Sequence, residues 1–201
     1  MKHILVLYAT REGHTRRIAE HVAETLLSRG FSPHVIDADR LPANFSLPDY
    51  CGAILAASVH KQKHEREIRR FVKRYVVELA RIPTAFLSVS LSQAGAEDTT
   101  ALSERRAQAA KDAQRMIDAF LAENGWHPSR TLAVAGALLY SKYNFLVRLI
   151  MKRIARQAGG DTDTSRDYEY TDWKNLDDFV AELASSVMPS EQSRQTARHG
   201  L

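Results

Sequence analysis

The chain has 201 residues, 44% of them hydrophobic and 26% charged, which fits one globular domain with an ample core. Its one cysteine, Cys51, excludes an internal disulfide and suits a reducing compartment. A formal charge of +4 and a pI near 9.3 favour acidic partners, such as an acidic substrate or an anionic lipid surface. No helix-turn-helix, zinc-finger or RNP pattern is present, so no nucleic-acid partner is expected. Met1-Lys2-His3 leads into a run of apolar residues, Ile4–Tyr8, too short for a signal-peptide core. No run approaches the ~18 apolar residues of a membrane span. A cytoplasmic protein, at most peripheral on the inner face of the cell membrane, is expected.

Taken in order, Ile4–Tyr8 reads as a buried parallel strand that feeds the turn Ala9–Thr15. A helix follows, with Ile18, Ala19, Val22, Ala23 and Leu26 on one face, and Gly30 ends it. His34–Asp37 is a second strand, 41–50 a connection, and Ala53–Ser58 a third strand whose loop runs from Val59 to His64. The next helix turns Ile68, Phe71, Val72, Tyr75, Val76 and Leu79 inward. Thr84–Val89 is strand four, followed by a loop from Ser90 to about Asp98. A long helix over roughly 100–123 has Leu102, Ala109, Ala113, Met116, Ile117 and Phe120 as its inner stripe. Thr131–Leu138 is strand five, and Asp172 caps a closing helix carrying Trp173, Leu176, Phe179, Val180 and Leu183. Residues 1–188 form one domain, and 189–201 are expected to be a disordered tail.

Strands alternating with helices imply a doubly wound α/β sheet, with ligands bound beyond the carboxyl ends of its strands. The turn after strand one lies where unpaired helix N–H groups can hold an anion. Thr10 and Thr15 add hydroxyl donors, and Gly13 allows a sharp turn. Neither the Walker pattern nor G-x-G-x-x-G is present, which leaves a single-phosphate loop or an ordinary capped turn. His60 and His64 invite a metal reading, but no third ligand is evident and no metal is expected.

Thr10-Arg11-Glu12-Gly13-His14-Thr15 resembles the FMN phosphate loop of the flavodoxins. That resemblance implies a five-stranded parallel sheet in the order 2-1-3-4-5. It also implies a phosphate held by Thr10, Arg11, Glu12, Gly13, His14 and Thr15, and a flavin ring lined by Ser58, Val59, His60, Ser88, Val89, Ser90 and Leu91. Glu12 departs from the hydroxyl or amide usual at its position, and a carboxylate beside a phosphate is repulsive unless it points away or is offset. Neither flavin loop carries the Trp or Tyr with which flavodoxin carriers cover the ring.

Between strand five and the last helix, 139–170 is far longer than the roughly two to six residues of an ordinary βα loop. Within this insert, 142–156 holds five basic residues and no acid. On a helix its cations fall within an arc of about 140°, interrupted by Phe145 and Leu149. That pattern suits a solvated amphipathic helix, an interfacial one, or one gripping an apolar acid. Ala135-Gly136-Ala137-Leu138, Tyr140, Tyr143, Leu149-Ile150-Met151-Lys152, Gly159–Thr164 and Tyr170-Thr171-Asp172-Trp173 resemble the flavodoxin-type, quinone-dependent protoporphyrinogen IX dehydrogenases. This resemblance implies FMN-dependent oxidation of protoporphyrinogen IX in haem biosynthesis, with electrons passed to a membrane quinone. Tyr143, Phe145, Arg148 and Leu149 are the expected substrate or membrane contacts, and an anionic membrane surface is an expected partner. A plain electron-carrier flavodoxin and an NAD(P)H:quinone reductase are the alternatives on the same fold.

Overall fold

The computed structural model describes residues 2–142, 148, 149, 152 and 161–187. Its main sheet has the parallel order β2-β1-β3-β5-β6, as the flavodoxin resemblance implies. These strands are β1 (His3–Ala9), β2 (Ser32–Asp37), β3 (Gly52–His60), β5 (Thr84–Ser90) and β6 (Arg130–Ala135). β1 pairs with β2 along one edge and β3 along the other, and helices cover both its faces, so Ile4–Leu7 are fully buried.

Successive residues of a strand point to opposite faces, and the core divides accordingly. Ile4, Val6, Ile54, Ala85 and Leu87 pack under helices α1 (His14–Ser28) and α5 (Trp173–Val187). Leu5, Leu7, Leu55 and Phe86 pack under α2 (Arg66–Leu79) and α4 (Ser103–Asn124). All five apolar residues expected on the inner face of α1 are buried. Gly30, at φ 82°, closes that helix: its N–H reaches the carbonyl of Leu27, and the N–H of Phe31 reaches that of Leu26. This is a Schellman motif, with Leu26 and Phe31 sharing one core cluster. Gly125 and Trp126 close α4 with the same pair of bonds.

Four expectations are corrected. The segment after strand three is a hairpin, in which β4 (Lys63–His64) runs antiparallel to Val59 and His60, with Lys61 and Gln62 at positive φ in the turn. The segment after strand four is a helix, α3 (Leu91–Glu97), whose Ser90 hydroxyl accepts from the N–H of Gln93. α4 starts at Ser103, so Leu102 precedes it and is 72% exposed, outside the inner stripe. Strand five ends at Ala135, short of Leu138, with a last bond from the Gly136 N–H to the carbonyl of Ser90. Beyond it, β7 (Ala137–Leu138) pairs antiparallel with β8 (Tyr168–Glu169), joining the two ends of the insert. Tyr143 and Phe145, most of the expected basic helix and the tail 189–201 lie outside the described residues.

Phe86 is the keystone of the α2/α4 layer. It stacks on Phe120 at 4.7 Å between ring centres and meets Trp126 edge-on at 5.5 Å. Phe86→Ala should destabilise the fold by about 3–5 kcal/mol in urea unfolding monitored by far-UV circular dichroism.

Candidate functional site

The carboxyl ends of β1, β3 and β5 lie side by side in the sheet, and the turn between β1 and α1 starts there. Gly13 sits at φ 95°, a left-handed conformation that a side chain would strain. Its N–H donates to Thr10 Oγ1 at 3.0 Å, which leaves the Thr10 hydroxyl proton free to donate elsewhere. No side chain caps α1, so its first N–H groups remain available to an anion, with Thr15 buried beside them. The donor set and the uncapped helix end fit a phosphate monoester.

His14 opens α1 and is 6% exposed. Its Nε2 lies 2.7 Å from Thr171 Oγ1, and that hydroxyl donates onward to the carbonyl of Ala135 at 2.8 Å. Because the Thr171 proton is committed to Ala135, His14 must donate from Nε2, which fixes its neutral tautomer. Burial pushes the His14 pKa down, against a smaller upward pull from Glu169. Burial thus favours the neutral form of His14. His14 ties the phosphate loop to both ends of the insert, since Ala135 precedes the insert and Thr171 follows it.

Two contacts cross from the loop to the β3–β4 hairpin. Arg11 Nε donates to Glu65 Oε1 at 2.9 Å, and Glu12 Oε2 lies 3.2 Å from His60 Nε2. Glu65 is buried, accepts from the Ser58 hydroxyl at 3.2 Å and lies 3.5 Å from the same His60 nitrogen. Glu12 is therefore drawn towards the hairpin, where the His60 ring lies within hydrogen-bond distance of its carboxylate. These struts hold the β1–α1 turn and the β3–β4 hairpin as one unit.

On the other side, Ser90 caps α3, Val89 packs into the α1/α5 core, and Ser88 is buried against His64. The Ser88 and Val89 side chains are thus occupied within the protein. Leu91 instead packs on Leu138, Tyr140, Tyr168 and Tyr170 at the base of the insert. That base is fastened by Asp161, whose carbonyl accepts from Tyr140 and whose carboxylate accepts from Tyr170 at 2.7 Å. Burial and the neighbouring carboxylate push the Tyr170 pKa well up. Asp167 adds two bonds to Ser141. Of the insert contacts expected, Leu149 is 51% exposed and Arg148 half-buried.

Residues 5–165 match the model of the flavodoxin domain family. Protoporphyrinogen IX dehydrogenase [quinone] of Escherichia coli strain K12 is 31% identical over 180 residues, covering 90% of this chain and 93% of that one. The protein of that name from Leishmania major is 30% identical over 182 residues, covering 90% and 74%. Among solved structures, a short-chain flavodoxin associated with a bacterial microcompartment superposes with a TM-score of 0.53 at 11% identity, covering 94% of this chain and all of that one. An archaeal flavodoxin gives 0.51 at 14% identity, covering 93% and 99%. The chain belongs to the protoporphyrinogen IX dehydrogenase [quinone] family of flavodoxin-domain proteins. It is an oxidoreductase built to bind flavin.

Within this family member, His60 and His64 do not converge. They occupy successive register positions of the hairpin and face opposite ways, His60 to the two carboxylates and His64 to Ser88 at 2.8 Å. Among the described residues no group of three or more His, Cys, Asp or Glu is arranged to hold a metal. His64 packs against Phe86 and Phe120, and burial pushes its pKa down to about 4. An imidazole with a folded pKa below its unfolded one binds fewer protons when folded. Its stabilising contribution is complete above about pH 6.5 and is lost as the pH falls towards 4. Going from pH 7 to pH 4, the wild type should lose on the order of 3 kcal/mol more stability than His64→Gln, which keeps a polar partner for Ser88 but cannot be protonated. Urea unfolding at the two pH values measures the difference.

Proposed function

We propose that the chain binds FMN and oxidises protoporphyrinogen IX to protoporphyrin IX in haem biosynthesis, passing the electrons to a membrane quinone. The observation that supports this most is the 31% identity to the Escherichia coli enzyme over 90% of the chain, a span that takes in the insert. Bound flavin supplies the two-electron acceptor, while the protein supplies position, access and electrostatics. Thr10, Gly13, Thr15 and the α1 N-terminus would hold the phosphate, and the struts from Arg11 and Glu12 would keep the hairpin beside it. The hairpin and the start of α3 carry no Trp or Tyr, so a large substrate could approach the ring. No helix among the described residues is long and apolar enough to cross a membrane. Contact with a quinone would then depend on a peripheral surface, for which Arg148, Leu149 and Lys152 in the insert are candidates.

Anaerobic mixing of FMN-loaded protein with protoporphyrinogen IX should bleach the flavin absorbance, and reoxidation by quinone should restore it. Thr10→Ala with Thr15→Ala should weaken FMN by about 1–3 kcal/mol, through lost hydrogen bonds to a charged group. Preference for FAD over FMN in wild-type titrations would refute the cofactor reading.

The β7–β8 pair and Asp161 anchor the base of the insert, so its middle can be removed with that base left intact. Replacing 143–160 with a short Gly/Ser linker should leave FMN binding unchanged and abolish quinone-linked oxidation. It should also abolish low-salt co-sedimentation with anionic vesicles, to which each basic residue contributes on the order of 1 kcal/mol. Full activity in that variant would return the chain to the class of simple flavodoxin carriers.

A further inference from the structure

A cavity of about 1000 Å³ lies on the β2 side of the phosphate loop, away from the hairpin and α3. Its floor is Thr10–Gly13, and its walls come from three other elements. Arg16 projects from the first turn of α1, Arg40 from the turn after β2, and Lys142 from the 3₁₀ turn (Tyr140–Lys142) that begins the insert. Val35 and Pro42 give it an apolar side. Cations from three separated elements meeting at one cavity do not arise from the periodicity of a single helix.

The charges are unequal. Among the described residues, neither Arg40 nor Lys142 has a carboxylate within ion-pair distance. Arg16 pairs with Glu20 one turn along the exposed helix, a weak and replaceable contact. Two lining carboxylates oppose them, Glu12 and Asp37. Glu12 is drawn to His60, and Asp37 accepts from the N–H of Asp39. The cavity thus holds two unspent cations and a third held loosely, beside apolar surface. Its volume is at the upper end of the ~300–1000 Å³ typical of small-molecule sites, roomy for a ligand larger than a mononucleotide.

We propose that this cleft seats the carboxylates of the substrate, with Arg40 and Lys142 each taking one acid group of a dicarboxylic tetrapyrrole. The proposal rests on the porphyrinogen reading and adds the determinants of acid recognition. It gives the insert a direct part in binding, because Lys142 is its first cation. It also gives a role to the β2 edge, which lines the cavity through Val35, Ile36 and Asp37. With its acid groups held here, the macrocycle would extend across the phosphate loop towards the flavin crevice.

The test uses full-length FMN-loaded protein and two probes, protoporphyrin IX and its dimethyl ester, followed by porphyrin fluorescence. Arg40→Gln with Lys142→Gln should weaken the diacid about tenfold or more, from two lost charge-assisted hydrogen bonds, and leave the ester within about twofold. FMN affinity should not move. Unchanged diacid affinity in the double variant overturns the proposal. A parallel loss of FMN affinity also overturns it, by placing the cleft in the cofactor site. If the wild type binds neither probe, the cleft proposal falls with the porphyrin reading, and the anaerobic flavin-bleaching experiment shows that failure separately.

Discussion

Burial of β1 on both faces is the constraint on which the site depends. A strand with paired neighbours on either side and helices above and below cannot shift register without exposing Ile4–Leu7. Its carboxyl end is therefore a fixed point, and the turn at Thr10–Gly13 inherits that position. The helix that follows is anchored by five buried apolar residues, so its uncapped N-terminus is aimed by the core rather than by the loop. A phosphate site made largely of backbone needs such rigidity, because N–H groups cannot swing to meet a ligand as side chains can.

From that fixed point, polar contacts extend outward in two directions. Towards β3, the Arg11–Glu65 and Glu12–His60 contacts brace the hairpin and engage two carboxylates that would oppose a phosphate. Towards the insert, the chain from His14 through Thr171 to Ala135 secures the exit from β6 and the entry to α5. Arg17 adds a second tie, pairing with Glu169 at 2.5 Å. The Arg11–Glu65 tie is ionic, whereas the His14 chain runs through a hydroxyl and a backbone carbonyl. A neutral histidine at the mouth of α1 avoids a buried cation that would need a permanent counter-charge when no ligand is present.

The fold was legible because its signals were those of periodicity and burial: continuous apolar strands, one-sided helices and glycine stops. Gly30 ends α1 as its position indicates, and Gly125 ends α4 in the same way. The hairpin after β3 was missed because Lys61 and Gln62 adopt positive φ without the Asn or Gly that normally marks such a turn. The helix after Ser90 had a readable signature, Ser90 followed three residues later by Gln93, but it is short and lies in a segment assigned to a loop. Glu65, Asp161 and Thr171 were not legible as site residues. Each acts through a partner far away in sequence, Arg11 for Glu65 and His14 for Thr171, and a linear pattern carries no record of such pairings.

The insert shows why its motifs are more specific than the phosphate loop. A loop that relies on backbone N–H groups tolerates many side chains, so its sequence is only loosely constrained. The base of the insert relies on side chains: Tyr140 and Tyr170 converge on Asp161, Ser141 on Asp167, and Leu91 on a tyrosine cluster. Replacing Tyr140 or Tyr170 leaves an oxygen of the half-buried Asp161 without its partner, a cost on the order of 1 kcal/mol for each. Asp161 in the Gly159–Thr164 motif and Tyr170 in the Tyr170–Trp173 motif are therefore the sequence trace of one anchoring problem, that of fixing the two ends of the insert to each other. Lys142 leaves this base at the rim of the cation-lined cleft, so the anchoring that stabilises the insert also sets where its first positive charge stands.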